Sequence, residues 1–296
     1  MKAEKKRVGT KAQIRAMKEK ERRITTAIFL IIILLTVGFS AYFTYAFLTQ
    51  SSGHSLIEPT LQFKPQNPNP LLKAAIVDHL SLTCSNETFR EEAAAILVKA
   101  NYTVDYFSGE KVTVEFYRNL PTYGYSLIIL RVHSGLQEGD NPPVIFFTSE
   151  LYSTSEYLPE QLTDQLWEGQ LGTGFVEGQT YFGISPEFVK KGMKGKFQNT
   201  TLIMMGCNGL TYTDMAEAFV EKGAKVYMGW NGSVSAGRTD TATAFLLQHL
   251  IQENQTIEQA MDNTMKKVGP DPTSESVLDY YPLKVGEQTI ENSGTS

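Results

Sequence analysis

Short apolar runs and stretches of helical spacing alternate along most of this chain. Apolar runs bounded by polar residues or glycine predict buried strands over 73–80, 102–107, 126–132, 201–206 and 224–229. Apolar residues at helical spacing predict helices over 86–100, 112–120, 214–222, 241–252 and 257–267. Strands that alternate with helices predict an α/β fold with a doubly wound, mainly parallel sheet over residues 71–268.

The alternation breaks between the third and fourth predicted strands. Residues 144–157 have the pattern of a β-hairpin with its turn at 150–153, which predicts an insertion into the main sheet. Residues 161–196 are rich in glycine and show no regular period. A long irregular segment of this kind is typical of a functional loop or of disorder.

The N-terminal part of the chain has the pattern of a membrane anchor. Residues 24–48 are 25 positions without a formal charge, rich in Ile, Leu, Phe and Ala, which predicts a transmembrane helix. Residues 1–23 hold ten Lys or Arg and three Glu, a flank that the positive-inside rule leaves in the cytoplasm. We therefore expect a single-pass membrane protein that contacts the lipid bilayer through residues 24–48, with its C-terminal domain outside the cytoplasm. The alternative is a cleaved signal peptide, but the apolar region is long for one.

Proline-rich segments flank the predicted α/β domain. Residues 49–70 contain four prolines and predict an extended stalk, and residues 269–296 predict a C-terminal tail. Five Asn-x-Ser/Thr tripeptides fit an extracytoplasmic glycoprotein, and they begin at Asn86, Asn101, Asn199, Asn231 and Asn254.

Charge and cysteine content narrow the possible partners. Outside the basic flank the chain has 17 basic and 29 acidic residues, a net charge of −12. Such acidity argues against nucleic acid as a partner, because phosphate binding needs a basic surface.

The two cysteines, Cys84 and Cys207, do not make a disulfide framework. A single Cys84–Cys207 bridge is one interpretation, and a small buried or loop role for Cys84 is the other.

Two of the predicted strands end in residues that carry chemistry. The strand over 126–132 is followed by His133, and the strand over 201–206 is followed by Cys207. Ligands of open α/β sheets bind beyond the carboxyl ends of the strands, and the helix pattern after Cys207 favours a reactive thiol there. A thiol and an imidazole at neighbouring strand ends predict a nucleophile and its base. The structural alternative is an inert cysteine at a strand end.

The sequence around these two ends resembles a known group of enzymes. An apolar strand is followed by His-Ser-Gly at 133–135, and another is followed by Gly-Cys-Asn-Gly at 206–209. Residues 215–244 then give an Ala-Phe helix, a Gly-Ala turn, a strand, a Trp-bearing loop and a helix. This order is similar to the caspase-like cysteine peptidases, which include caspases, metacaspases, legumain, gingipains, separase and CHAT domains. The resemblance covers about residues 72–266 and implies a caspase-like fold.

The resemblance also implies an activity and its residues. The chain would be a cysteine endopeptidase that cuts polypeptide substrates and needs no cofactor or metal. His133 would be the general base and Cys207 the nucleophile, with the backbone N–H groups of Gly135 and Cys207 as oxyanion donors. The sequence departs from the family at Ser134, which separates the histidine from the glycine, so which N–H points inward is left open.

A substrate pocket is implied at the loops after the first and fifth strands. Asp78 and Trp230 stand at those positions, and Asp240 follows a little later, so the pocket would prefer Arg or Lys before the cut bond. Each has a structural alternative: Asp78 as a partner of a nearby histidine, Trp230 in the core, and Asp240 as the N-cap of the following helix. Arg131, two residues before His133, is expected in a surface or ion-pair role.

Two further interpretations remain open at this stage. His79, Cys84, His133 and Cys207 could meet at one sheet edge as zinc ligands, although their spacing matches no familiar zinc motif. The domain could also lack catalysis and use the same cleft as a peptide-binding or scaffolding module. The reactivity of the Cys207 thiol separates this second possibility from the peptidase.

Overall fold

The structure is a computed structural model that describes residues 15–16, 18–20, 22–38, 40, 56–66, 72–137, 142–170 and 178–290. The chain divides after residue 55 into two units, Met1–Ser55 and Leu56–Ser296. The two units are described separately.

The described part of the N-terminal unit is helical, with α1 over residues 22–38. None of the helices formed by described residues is both long enough and apolar enough to cross a membrane. The predicted transmembrane helix over 24–48 is therefore wrong, and so is the single-pass localisation with an extracytoplasmic C-terminal domain. Residues 39 and 41–48 of that stretch lie outside the described residues.

The described residues of the second unit form eleven strands and six α-helices. The strands are β1 (Leu61–Phe63), β2 (Leu72–Asp78), β3 (Tyr102–Ser108), β4 (Leu127–Arg131), β5 (Ser134–Leu136), β6 (Val144–Leu151), β7 (Leu166–Gln170), β8 (Thr180–Ile184), β9 (Thr200–Met204), β10 (Ala224–Trp230) and β11 (Leu278–Tyr281). The helices are α2 (Glu87–Lys99), α3 (Val114–Asn119), α4 (Leu158–Gln161), α5 (Asp214–Glu221), α6 (Ala236–Leu247) and α7 (Ile257–Val268). Shorter helical turns include His79–Leu82 after β2 and Phe188–Gly192 after β8.

A mixed sheet with strand order β1-β3-β2-β4-β9-β10-β11 lies at the centre of this unit. Its five inner strands are mutually parallel, and β1 and β11 close the two edges in antiparallel pairing. Strands β4 and β9 are buried along their whole length, as expected for a parallel sheet covered on both faces. Side chains of α2, α6 and α7 cover one face, and α3 and α5 cover the other.

A second, antiparallel sheet replaces the predicted hairpin, so the predicted fold class is wrong on this point too. Its strand order is β5-β6-β8-β7, and it takes in much of the glycine-rich stretch that was expected to be irregular. One face packs on the main core through Val144, Phe146 and Phe182. The other face carries a small cluster of Ile145, Phe147 and Tyr181. Residues 144–151 are thus one long strand between two partners, with no turn at 150–153.

The segments predicted as a stalk and a tail also contribute strands. Within 49–70, strand β1 pairs with β3, and residues 49–55 and 67–70 lie outside the described part. Within 269–296, strand β11 pairs with β10. Both strands are short and lie at sheet edges, where a sequence pattern is weak because only one side of the strand is paired.

The helix starts follow the capping chemistry in part. Asn86 caps α2 by accepting the Phe89 N–H at 3.1 Å, and Thr256 with Gln259 forms a capping box at the start of α7. Helix α5 begins at Asp214, and its N-cap Thr213 makes no side-chain capping hydrogen bond.

Candidate active site

Parallel pairing of β4 with β9 brings His133 and Cys207 to the same edge of the central sheet. Leu130 lies opposite Met204 in the register, and each predicted residue follows three positions later, just beyond the end of its strand. The backbone N–H of Met205 still donates to the Leu130 carbonyl at 2.8 Å, so the pairing continues up to the turn. The two adjacent strands therefore end at the same edge of the sheet, which is where open α/β sheets bind their ligands.

The backbones of the two strand ends are in direct contact beyond the last paired residues. Ser134 Oγ donates to the Cys207 carbonyl at 2.5 Å. Gly206 makes this approach possible, because a Cβ at that position would overlap the Val132 carbonyl and Ser134 Oγ. The small residues at 134 and 206 thus hold the two candidate residues in one compact turn.

His133 is half-buried and is held by the helical turn that follows β2. Its Nε2 lies 3.0 Å from Thr83 Oγ1. The ring of His79 meets the ring of His133 edge to face, with centroids 5.7 Å apart and planes at 87°. The His133 carbonyl accepts the N–H of Phe147 at 3.0 Å, which ties its backbone to the second sheet.

Burial keeps both imidazoles neutral at pH 7. Burial, and after it the charge of Arg131, lowers the pKa of His133 to about 4. Burial, and after it the proximity of His133, lowers the pKa of His79 to about 3. Both rings can therefore accept a proton at pH 7, but a pKa of about 4 makes His133 a weaker base than one that titrates near the working pH.

Cys207 is half-buried and contacts the loop that follows β10. Its Sγ lies 3.5 Å from the Val234 carbonyl and 3.4 Å from the Val234 N–H. Helix α5 begins only at Asp214, so the residues between form a turn and the helix does not follow the thiol directly. Cys84 is exposed, and both cysteines are free thiols, so the two are not bridged.

The register of the second sheet shows where the backbone donors next to His133 point. Phe147 donates to the His133 carbonyl, and Gly135 lies opposite Ile145 in the same ladder. Because the paired positions of an antiparallel ladder alternate, Gly135 directs its N–H towards β6. Ser134, one position earlier, directs its N–H away from β6. The N–H of Gly135, expected as an oxyanion donor, is thus directed into the β5–β6 ladder, and the N–H of Ser134 is the one that is free of this ladder.

A buried cluster around Arg131 lies next to the candidate pair. Arg131 is 1% exposed and binds both oxygens of Asp240, through Nε at 2.7 Å and Nη2 at 2.9 Å. Its Nη1 donates to Asp78 at 2.7 Å, and Nη2 also reaches the Cys84 carbonyl at 2.8 Å. Burial raises the pKa of Asp78, and Arg131 opposes that shift. Arg131 therefore makes the ion-pair contacts of the buried interior, not of the surface.

The residues predicted to line a substrate pocket have structural partners in this arrangement. The carboxylates of Asp78 and Asp240 both pair with the chain's own Arg131. Asp240 lies inside α6, whose N-cap is Ser235, so the alternative role as an N-cap is wrong. Trp230 is fully buried in the core, where its Nε1 donates to Thr239 Oγ1 at 3.0 Å.

Asn86 joins the same cluster from α2. Its Nδ2 donates to Asp240 at 2.8 Å while its Oδ1 caps the helix. A glycan on this amide nitrogen would replace a hydrogen bond to a buried carboxylate, which argues against modification at this tripeptide.

Sequence reasoning found the two strand-end residues but missed two of their partners, Thr83 and Val234. His79 was expected at the same sheet edge, because it directly follows a strand as His133 does, but only as a possible zinc ligand or a partner of Asp78. Nothing in the local sequence marks Thr83 or Val234, because each reaches the site from a separate loop.

Neither the arrangement of metal-binding groups nor the sequence comparisons assign a metal site or a family to the described residues. Over the described ranges, no group of three or more His, Cys, Asp or Glu side chains is arranged to hold a metal ion. Comparison of the sequence with family models and with curated proteins gives no match. The caspase-like resemblance therefore depends on the residues and their spacing.

Proposed function

We propose that this chain is a cysteine endopeptidase in which Cys207 is the nucleophile and His133 is the general base. The observation that supports the proposal is the β4–β9 register, in which Leu130 pairs with Met204, three positions before His133 and Cys207 respectively. The direct contact between Ser134 and the Cys207 carbonyl supports it, because the two turns are locked together.

The chemistry of the proposed reaction needs three groups at this edge. His133 takes the thiol proton, and the sulfur attacks the peptide carbonyl carbon to form a C–S bond. The carbonyl electron pair moves onto oxygen, where backbone N–H groups of Cys207 and Ser134 are the proposed donors. Collapse of this intermediate breaks the C–N bond, and His133 returns the proton to the leaving amine. Water then hydrolyses the thioester.

The proposed role uses one tautomer of His133. Nε2 and Thr83 Oγ1 lie 3.0 Å apart and either can donate; in the tautomer with the proton on Nε2, Thr83 Oγ1 accepts and Nδ1 is the base. The low pKa of His133 has a consequence for activity. We expect peptide cleavage to be lost only as pH falls through about 4, where the imidazole becomes charged.

A second candidate function is favoured by the contacts of the sulfur. Sγ of Cys207 lies against the Val234 backbone, and Nε2 of His133 lies against Thr83. A site whose two reactive groups are held by the chain itself is also compatible with a peptide-binding module that does not cut. The two functions differ in whether a bound peptide is cleaved.

A peptide library incubated with the full chain separates these two functions. We expect cleavage at defined bonds by the parent chain, and none by Cys207→Ala or His133→Ala, while Cys84→Ala keeps the activity. Thermal unfolding and circular dichroism confirm that the variants fold. Cleavage that persists in Cys207→Ala would reject the peptidase, and peptide capture without cleavage by the parent would favour the binding module.

A further inference from the structure

The sulfur of Cys207 is covered by a loop that makes several other contacts with the same turn. We call residues 231–235, which follow β10, the thiol loop. The Val234 backbone contacts Sγ, the Gly232 carbonyl accepts the N–H of Asn208 at 2.8 Å, and the Asn231 carbonyl accepts Thr211 Oγ1 at 2.9 Å. A molecule that approaches the sulfur from this side must displace the loop.

The thiol loop is in turn held from outside by residues 271–277, which we call the strap. The Oγ atoms of Ser274 and Ser276 both donate to the Ser233 carbonyl. At the far end, Asn231 and Val277 exchange two hydrogen bonds, of 3.0 Å through the Asn231 N–H and 2.9 Å to its Oδ1. The strap thus contacts the thiol loop at both its middle and its start.

Asp271 connects the strap to the end of the thiol loop. One carboxylate oxygen accepts the N–H and Oγ of Ser235, at 3.1 Å and 3.2 Å. The other accepts the N–H groups of Thr273 and Ser274, at 2.9 Å and 3.3 Å. Asp271 is 3% exposed, so these bonds are sheltered from water. The backbone N–H groups of Thr273 and then Ser235 lower the pKa of Asp271 to about 2, so it is ionised at pH 7.

We propose that the strap and the thiol loop form a latch over Cys207, and that Asp271 is the residue that keeps it closed. Contacts of the sulfur with Val234 are weak, since sulfur is a poor hydrogen-bond partner. The thiol loop is therefore held over the sulfur mainly by its hydrogen bonds to the strap, which are made by Asp271, Ser274 and Ser276. Opening of the thiol loop exposes the sulfur without unfolding the central sheet, as expected for a loop with little apolar burial.

The latch gives the proposed peptidase a resting state in which the nucleophile is shielded. A role of the latch in controlling peptidase activity rests on the proposed function. The opening of the thiol loop, which uncovers the Cys207 sulfur, does not depend on that function. A partner or substrate that binds the strap would shift the loop towards the open state to the extent that it binds that state more tightly.

The rate of thiol alkylation measures the latch directly. The background is the full chain with Cys84→Ser, so that Cys207 is the one remaining thiol of the two in the sequence. The probe is iodoacetamide, which is small and neutral, and intact mass gives the rate constant at fixed pH. We expect Asp271→Ala to raise the rate constant about tenfold, because two anchors of the loop are lost together. Asp271→Asn keeps one oxygen acceptor and should lie between the two.

Asp279→Ala is the matched control, since it removes an exposed carboxylate from β11 and leaves the thiol loop untouched. An unchanged rate in a folded Asp271→Ala chain, or an equal rise in the control, would overturn the latch. If Asp271→Ala does not fold, the double variant Ser274→Ala, Ser276→Ala takes its place, with an expected rise of about threefold. If Asp271→Ala raises the alkylation rate but the parent chain cleaves no peptide, the latch stands and the peptidase is rejected. If the parent chain cleaves peptides but Asp271→Ala does not raise the alkylation rate, the peptidase stands and the latch is rejected.

Discussion

The two sides of the candidate site are held by different kinds of contact. On one side, His133 is held by the side chains of Thr83 and His79, next to the buried ion pairs of Arg131. On the other side, the sulfur of Cys207 is held by the backbone of Val234, in a loop anchored mostly by serine hydroxyls and Asp271. We therefore expect the imidazole side to be the more rigid of the two, because buried charges cost much more to separate than single hydrogen bonds at a loop.

The largest expected effect comes from removing the charge at the centre of the imidazole side. Arg131→Met leaves two buried carboxylates without their cation, and we expect a loss of about 3–5 kcal/mol in the free energy of unfolding. Urea denaturation followed by fluorescence measures this loss.

The control for Arg131→Met is Lys191→Met. It breaks an ion pair with Glu187 whose lysine is 65% exposed, and should cost about 0.5 kcal/mol or less. Equal losses in the two variants would show that the cluster does not hold the imidazole side.

The next effect is the pH dependence of stability that the two neutral imidazoles impose. The pKa values of His79 and His133 are lower in the folded chain than the ordinary value of 6.5, so the unfolded chain binds more protons below that pH. Stability is then full above about 6.5 and falls as pH decreases towards about 3 to 4. His79→Phe should remove about 1.4 kcal/mol per pH unit from this slope.

Urea denaturation at several pH values between 7 and 4 tests this slope. Half-buried His249 serves as the site of the control substitution, His249→Phe, because it pairs with Glu253, which lies outside the candidate site. A slope that stays the same after His79→Phe would contradict the idea that burial keeps this imidazole neutral.

A smaller effect is expected from the hydroxyl that holds the base. Thr83→Val removes the partner of His133 Nε2 while keeping the shape of the side chain. We expect kcat for peptide cleavage to fall about tenfold with little change in KM, because only the orientation of the base is affected. Thr83→Ser keeps the hydroxyl and should restore most of the rate. A similar loss in both variants would mean that packing, not the hydrogen bond, is responsible.

The smallest effect is expected on the thiol side. Ser276→Ala removes one of the two hydroxyl bonds to the Ser233 carbonyl, and should cost about 1 kcal/mol or less in unfolding free energy. Thermal unfolding measures it. A loss as large as that of Arg131→Met would contradict the difference between the two sides.

Much of the central sheet could be predicted from local sequence alone. The five predicted inner strands overlap β2, β3, β4, β9 and β10, because strands buried on both faces are continuous apolar runs. The residues that directly follow two of these runs, His133 and Cys207, could be identified as candidate catalytic residues without knowledge of how the strands pair. Their placement at one edge needed only the parallel order of β4 and β9.

What the sequence did not reveal depends on contacts between distant residues. Arg131 and Asp240 are 109 positions apart, and Thr83 and His133 are 50 apart, so no local pattern joins them. Strands β1 and β11 have three and four residues, too few for a periodic signal. The apolar stretch over 24–48 is the opposite case, in which the local sequence predicted an element that the structure does not show. Its composition predicted a membrane-spanning helix, and the described residues do not form one.

Active-site labelling tests whether His133 activates Cys207. The full chain is treated with a peptidyl acyloxymethyl ketone, and peptide mapping locates and quantifies the adduct at each cysteine. We expect rapid modification of Cys207 in the parent chain and a loss of about a hundredfold or more in His133→Ala, with Cys84 labelling unchanged. Equal labelling of Cys207 in the parent and His133→Ala chains would contradict it.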